Sequence, residues 1–379
     1  MSVAGARRKI CFVLPSLAGG GAERAAVQIL NALDEAAWDR SMYLFRKEGP
    51  YLGDVSPSVR LHAGTAGSRA GRWLALRTFV RDTRPDIVVS FLSYFTVLTA
   101  VRAAGVGARV VFNQQTPMSA FLADGDYSWR RRWHRQAFAI VTRAGYAAAD
   151  LIVTTSHGVA DDLVAAFGVT RASIRVVHNP VDLAVVAASA QEPVDPIHAA
   201  AWQRPVIVAA GRLAEAKNYS LLIEALALLR ARVPARLFIL GQGDEEGAIR
   251  ALVAARGLGD AVVLCGFQKN PWKYIARADV FALTSHYEGF GNVLVEALAC
   301  DVPVVATRSA GTSDIVRDGV DGLLVDVHEP AAVAAALERV LGDDAFRRRL
   351  AAEARDGAGR FALSVIAREY ESVFRELAA

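Results

Sequence analysis

Two doubly wound α/β domains with parallel sheets, facing a central cleft, are predicted by three features of this chain. Apolar, β-branched runs of about five to eight residues alternate throughout with longer stretches of helical period, and buried strands between helices imply parallel sheets covered on both faces. The length of 379 residues is long for a single core and suits two domains of roughly 150–200 residues each. The alternation breaks once, over 185–204, where small residues precede Pro193, Pro196 and Pro205, the composition of an interdomain linker. The expected organisation is therefore a first domain over 1–185, a linker over 186–204 and a second domain over 205–360. A terminal helix over 361–379 is expected to pack back on the first domain. Ligands in such folds bind beyond the carboxyl ends of the strands.

In order along the chain, strands are expected at 10–14, 42–45, 87–91, 110–113, 151–155 and 174–177. In the second domain they are expected at 206–210, 236–240, 262–265, 280–284, 302–306 and 322–325. The opening Arg7-Arg8-Lys9 and the apolar run after it imitate a signal peptide. That run is short, contains Pro15 and leads into Gly19-Gly20-Gly21, so it reads as the first strand. The uncharged run 87–101 is 15 residues, too short to span a bilayer, and splits into a strand and a helix start near Ser93. Cys11, Cys265 and Cys300 sit in separate apolar segments, without metal-ligand spacing, and read as reduced core residues of a cytoplasmic protein. Residues 1–185 carry 22 Lys and Arg against 14 Asp and Glu, whereas the remainder carries 21 against 25. A basic first half points to an anionic substrate or surface. Nucleic acid is not the expected partner, because no stacking-rich or finger-like module accompanies the charge.

The stretch with the most chemistry runs from His286 to Ala299, HYEGFGNVLVEALA. Gly289 and Gly291 break the backbone before an apolar helix-period run, and Asn292 reads as its N-cap. The first amides of that helix and the positive end of its dipole make an anion site. Glu288 precedes the helix and Glu296 lies about one turn inside it. Carboxylates beside an anion site fit a ligand with both a diphosphate and vicinal hydroxyls, which a sugar nucleotide has. The spacing of Glu288 and Glu296 within Glu-Gly-Phe-Gly-Asn-Val-Leu-Val-Glu resembles the Glu-x7-Glu signature of retaining, family 4 glycosyltransferases of the GT-B fold, built from two Rossmann-like domains.

That resemblance extends over nearly the whole chain. Gly211-Arg212-Leu213 followed by Lys217-Asn218 is similar to the family's diphosphate-binding loop. An Arg fork and a Lys point charge, five residues apart between a strand and a helix, can converge on one anion. Gly19-Gly20-Gly21-Ala22-Glu23, before a helix expected over 25–33, resembles the loop set against the donor phosphates. Gly266 and Phe267 fall where relatives hold the nucleotide base through backbone groups. By the same resemblance Gly289, Phe290, Gly291, Asn292 and Val293 belong to the donor site. His157 and His178 read as local hydrogen-bonding residues, and Asp314 as either a helix-start residue or a ligand. Asp124-Gly-Asp126 has the form of a metal–diphosphate motif of another transferase fold. Its place before an Arg-rich helix reads as a solvated loop, so no metal and no cofactor are expected. Where many relatives carry a site histidine, this chain has Asn113, Gln114 and Gln115. Amides orient hydroxyls but do not take a proton at neutral pH.

The resemblance implies transfer of a sugar, with retention, from a nucleotide diphosphate donor to an acceptor hydroxyl on a lipid-linked or soluble glycan. UDP is the first expectation for the nucleotide, by its frequency in the family. Arg212, Lys217 and Glu288 are the catalytic candidates, and Glu296 is the candidate partner of the ribose diol. Trp129, Arg130, Arg131, Arg132 and Trp133 open a basic, aromatic helix suited to an anionic membrane surface, placing the protein peripherally at the cytoplasmic face. The alternatives are a sugar-nucleotide epimerase of the same fold and a nucleotide-sugar-binding protein without turnover.

Overall fold

The structure, a computed structural model, describes residues 7–64, 67–124, 132–203, 205–326 and 329–378; for residues 121, 123, 124 and 132–139 it describes the backbone alone. The chain divides into two compact units, residues 1–180 with 363–379 and residues 181–362.

The first unit is built on a parallel sheet of β1 (Arg8–Leu14), β2 (Trp38–Leu44), β3 (Arg60–Ala63), β4 (Ile87–Phe91), β5 (Arg109–Gln114), β6 (Leu151–Thr154) and β7 (Ile174–Val176), in the order β3-β2-β1-β4-β5-β6-β7. The two faces of β1 show why a continuous apolar run is needed. Ile10, Phe12 and Leu14 enter one core, while Cys11 and Val13 enter the other, as alternation across a sheet covered by helices on both sides requires. The helix Leu363–Ala378 belongs to this unit. Its Ile366, Tyr370 and Phe374 recur at four-residue intervals and are fully or almost fully buried. The Phe374 ring sits 6.2 Å from those of both Phe12 and Trp38. Burying side chains of this size is worth about 1.5–3 kcal/mol each.

The second unit repeats the plan with β8 (Val206–Ala210), β9 (Arg236–Leu240), β10 (Val262–Leu264), β11 (Val280–Leu283), β12 (Val304–Thr307) and β13 (Gly322–Val325), ordered β10-β9-β8-β11-β12-β13 and parallel. Each sheet reverses its winding once, between β1 and β4 in the first unit and between β8 and β11 in the second. A crevice opens at the carboxyl ends of the strands at such a point.

Several elements differ from the expectation. The short edge strand β3, Arg-Leu-His-Ala, has no fully buried residue, so it lacks the apolar signal of the others. The helix after β1 starts at Gly21 rather than Ala25. Residues 186–204, expected as a linker, contain the end of the helix Leu183–Ser189 and the helix Pro196–Ala199, both within the second unit. Asp182 caps the first of these through Ala184 N and Val185 N, 3.1 Å each, and Val186 and Ala190 are buried in the core. Pro196 occupies the first turn of the second, where its missing N–H costs nothing. The preceding Asp195 accepts a bond from Tyr274 Oη at 2.8 Å and pairs with Lys273.

Candidate active site

Three loops at the carboxyl end of the second sheet are tied together across the point where the winding reverses. Between β8 and the helix Tyr219–Leu229, the backbone turns through a short 3-10 segment, Glu215–Lys217, to Asn218. Asn218 holds a left-handed conformation (φ 47°) and caps that helix, a conformation asparagine tolerates better than most residues. The loop after β11 is bonded to this one: His286 N donates to Ala216 O at 2.9 Å, and Thr284 Oγ1 donates to Asn218 O at 3.0 Å. The loop after β12 joins through Gly311 N, which donates to Glu288 O at 3.0 Å, and Thr307 Oγ1, which donates to Ser285 O at 2.7 Å.

Within this frame Lys217 Nζ donates to Glu288 Oε1 at 2.5 Å, and Ser285 Oγ donates to the same oxygen at 2.7 Å. Glu288 is buried, Lys217 half-buried and Arg212 exposed. The pair Lys217–Glu288 therefore bridges the loops that follow β8 and β11, the two strands flanking the reversal. Tyr219 Oη donates to Gly211 O at 3.2 Å. Burial raises the Tyr219 phenol well above its ordinary range, so it remains a donor and fixes that turn.

The helix Asn292–Ala299 starts one residue earlier in its capping than expected. Gly291, with φ 103°, is the N-cap and Asn292 is the first helical residue. Only glycine enters that region without strain. Glu296 lies on the buried side of the helix, and its Oε2 accepts from Trp272 Nε1 at 2.8 Å. Glu288 and Glu296 thus have different fixed partners, a lysine and a tryptophan. The ring of Phe290 is 3 % exposed and packs 5.2 Å from that of Phe361, so only the backbone of Phe290 faces the loops. Val293 is partly buried against the same core. Gly311 is the close-approach residue that the motif did not reveal. A Cβ there would lie 2.4 Å from Phe290 Cα and 2.5 Å from Phe290 N and O. Farther along the sheet edge, Gly241 N donates to Gly266 O at 2.8 Å, and the ring of Phe267 stands 63 % exposed.

Gly20 and Gly21 lie in the first unit, before and at the start of the helix Gly21–Ala32. Glu23 sits in the first turn, with its carboxylate folded so closely over Gly20 that a Cβ there would lie 2.3 Å from Oε2. The amides Asn113, Gln114 and Gln115 are buried and committed to the first unit. Asn113 Nδ2 donates to Tyr370 Oη at 2.8 Å, Tyr146 Oη donates to Gln114 Oε1 at 2.5 Å, and Asn179 Nδ2 donates to Gln115 Oε1 at 2.9 Å. These bonds tie the carboxyl end of β5 to the helix Leu363–Ala378, to the helix Arg132–Ala147 and to the segment after β7. His178 Nδ1 is 2.8 Å from Thr155 O. Trp129, Arg130, Arg131 and Asp126 lie outside the described residues, and so do the side chains of Arg132, Trp133 and Asp124.

A pair of doubly wound parallel units is the architecture of the GT-B glycosyltransferases. Residues 19–185 match the family model described as Glycosyltransferase Family 4, and residues 191–357 match the one described as Glycosyl transferases group 1. The chain belongs to this family of glycosyltransferases. It is 36% identical over 225 residues to an N-acetylgalactosamine-N,N'-diacetylbacillosaminyl-diphospho-undecaprenol 4-alpha-N-acetylgalactosaminyltransferase of Campylobacter jejuni, a match covering 59% of this chain and 60% of that protein. It is 29% identical over 360 residues to the lipopolysaccharide core biosynthesis glycosyltransferase LpsE of Rhizobium meliloti, covering 93% and 94% of the two. In fold it is similar to the crystal structure of Anabaena HepE in complex with UDP and glucose, with a TM-score of 0.80, 20% identity, and coverage of 98% of this chain and 100% of that one.

Proposed function

We propose that the chain transfers a sugar from a nucleotide diphosphate donor, UDP being the first candidate, to a hydroxyl of a glycan acceptor during polysaccharide assembly. The transfer is proposed to retain anomeric configuration and to need no metal. The observation that carries this reading is the Lys217–Glu288 pair, 2.5 Å apart where the winding of the second sheet reverses, with Arg212 on the same loop. The main chemical demand is negative charge on the departing diphosphate. Lys217, Arg212 and the amides opening the helix Asn292–Ala299 supply preorganised positive potential for it. Glu288 uses Oε1 for Lys217 and Ser285, leaving Oε2 to accept from a sugar hydroxyl. Glu296 is proposed to accept from the ribose diol, with its orientation set by the Trp272 indole. Gly266 and the exposed Phe267 are proposed to flank the base.

The retaining part of the proposal is supported by the resemblance of the Glu288–Glu296 spacing to that of retaining family 4 transferases. In a front-face transfer the leaving phosphate takes the acceptor's proton, so the reaction does not require Asn113, Gln114 or Gln115 as a base. The Campylobacter relative acts on a diphospho-undecaprenol-linked sugar, which supports a lipid-linked acceptor here. No helix among the described residues is long and apolar enough to cross a membrane. Peripheral contact with the cytoplasmic leaflet is supported by the sequence from Trp129 to Arg135, and by Ile140 and Val141, which stand exposed on the helix that continues from it.

The test is release of nucleoside diphosphate from a panel of nucleotide sugars, with and without acceptor, in EDTA. The expected result is acceptor-dependent release that survives EDTA. Loss in EDTA restored by manganese or magnesium would overturn the metal-independent part and return attention to Asp124 and Asp126. Binding of a nucleotide sugar with no release under any condition would favour a binding protein.

A further inference from the structure

The segment that composition marks as a linker is bonded to the candidate site through one short helix. That helix, Trp272–Ile275, is four residues long, and a single turn does not hold its shape or place unaided. Its Tyr274 and Ile275 are fully buried in the core of the second unit, which fixes its depth. Apolar burial is non-directional, so it leaves the rotation of the helix to be set by other contacts.

Polar bonds with residues 189–198 supply that direction. Asn270 Nδ2, before the helix, donates to Ser189 O at 2.8 Å, and Arg277 Nη1, after it, donates to Ala190 O at 3.0 Å. Between them Asp195 holds two neighbouring side chains at once. Lys273 Nζ donates to Asp195 Oδ1, and Tyr274 Oη donates to Asp195 Oδ2 at 2.8 Å. Successive helical residues point about 100° apart, so one carboxylate bonded to both fixes the rotation, which neither bond does alone. The phenol has one proton and gives it to Asp195, so His198 Nδ1, 2.8 Å from the same Oη, donates to it as N–H. The Lys273 ammonium, and after it the Tyr274 hydroxyl, hold the Asp195 carboxyl below its ordinary range.

Trp272 opens this turn, and its Nε1 donates to Glu296 Oε2 at 2.8 Å, with both residues less than a tenth exposed. A displacement of about 1 Å takes that bond beyond hydrogen-bond range. A buried carboxylate deprived of a donor then reorients toward another.

We infer that Asp195 is a positioning residue for the donor's ribose. It sets the helix Trp272–Ile275, the indole on that helix sets Glu296, and Glu296 accepts from the diol. The last link rests on the donor reading above; the bonds from Asp195 to Glu296 do not.

The experiment is calorimetric titration of the full chain with UDP and with 2′-deoxy-UDP, which lacks one hydroxyl of the diol. If the panel of nucleotide sugars identifies another base, the corresponding pair replaces them. The wild type is compared with Trp272→Phe, Asp195→Ala and Tyr274→Phe. The quantity read is the ratio of the two affinities in each protein. A general loosening of the fold weakens both ligands together and leaves that ratio unchanged. The wild type should prefer UDP by about tenfold to a hundredfold, the scale of one hydrogen bond to a charged group. Trp272→Phe and Asp195→Ala should each bring the two affinities together, through weaker binding of UDP and little change for 2′-deoxy-UDP. Tyr274→Phe keeps the buried ring and removes its bonds to Asp195 and His198, so it should lower the ratio without a packing defect. A wild-type ratio in Asp195→Ala overturns the inference. If that variant does not fold, a wild-type ratio in Tyr274→Phe overturns it. With either result, a lowered ratio in Trp272→Phe leaves the ribose role of Glu296 standing. No preference for UDP in the wild type would remove that role, and the inference with it.

Discussion

Replacing Lys217 by alanine separates what this side chain does for the fold from what it does for the reaction. In the structure Lys217 Nζ is 2.5 Å from Glu288 Oε1, with the two side chains 25% and 11% exposed. Removing the lysine leaves a mostly buried carboxylate with Ser285 as its remaining described hydrogen-bond donor. A hydrogen bond to a charged group is worth about 1.5–3 kcal/mol, and each 1 kcal/mol shifts the melting temperature of a unit this size by about 2–4 °C. The variant should therefore melt about 3–12 °C lower, on the same scales. The effect on turnover should be larger, about a hundredfold to a thousandfold, because a preorganised donor to the departing diphosphate is lost. The double variant Lys217→Ala/Glu288→Gln distinguishes the two effects. A neutral amide keeps the Ser285 contact and removes the unpaired charge, so the melting temperature should recover while turnover does not. Thermal melts and release of nucleoside diphosphate, measured on the same samples, make the comparison. Turnover close to wild type in Lys217→Ala, or recovering together with stability in the double variant, would refute the assignment.

Gly311→Ala places a Cβ against three backbone atoms of Phe290, none of which can rotate away. Overpacking of this kind costs about 1–3 kcal/mol, so the thermal shift produced by the donor should shrink, and an unchanged shift would show that the loop tolerates displacement. Changing Arg130, Arg131 and Arg132 together to serine should weaken binding to phosphatidylglycerol vesicles about a hundredfold, at about 1 kcal/mol per arginine near an anionic surface. Co-sedimentation at low salt and at about 0.5 M salt is the measurement, and equal pelleting of variant and wild type would refute the membrane reading. Burial pushes the thiols of Cys11, Cys265 and Cys300 each up to about 12, with Glu296 and Asp301 adding to the effect at Cys300. At about pH 8 only on the order of one in ten thousand is then thiolate, so native protein should resist iodoacetamide while denatured protein takes up label at all three. Rapid native labelling would contradict the burial that raises them.

The strands were legible because each buried run is apolar across both faces of its sheet. β3 was not, since a four-residue edge strand carries no such signal. The misread stretch at 186–204 shows a different limit. Its prolines and small residues have the composition of a linker, yet Asp182 as an N-cap and Pro196 at a first helical position are positional signals that a composition reading passes over. In the candidate site, residue types at the right spacing marked Lys217, Arg212 and Glu288, and the bonding among their loops then brought Lys217 onto Glu288. The partner of Glu296 was not legible, because nothing in the local sequence connects it to Trp272. The same holds for Asn113, whose amide is matched by Tyr370, 257 residues later. That contact joins elements remote in sequence, which no local pattern signals.

The position of the helix Leu363–Ala378 has a consequence for how the molecule is made. The first unit needs Tyr370 and Phe374 to fill its core and to satisfy Asn113, but these residues are synthesised after the whole of the second unit. During synthesis the second unit can therefore close first, while the first waits with an open apolar trough along Phe12 and Trp38. Until the helix arrives, that trough is an exposed apolar surface prone to aggregation. Substitutions on the inner face of the helix should therefore reduce the yield of folded protein more than their cost to the finished structure would suggest.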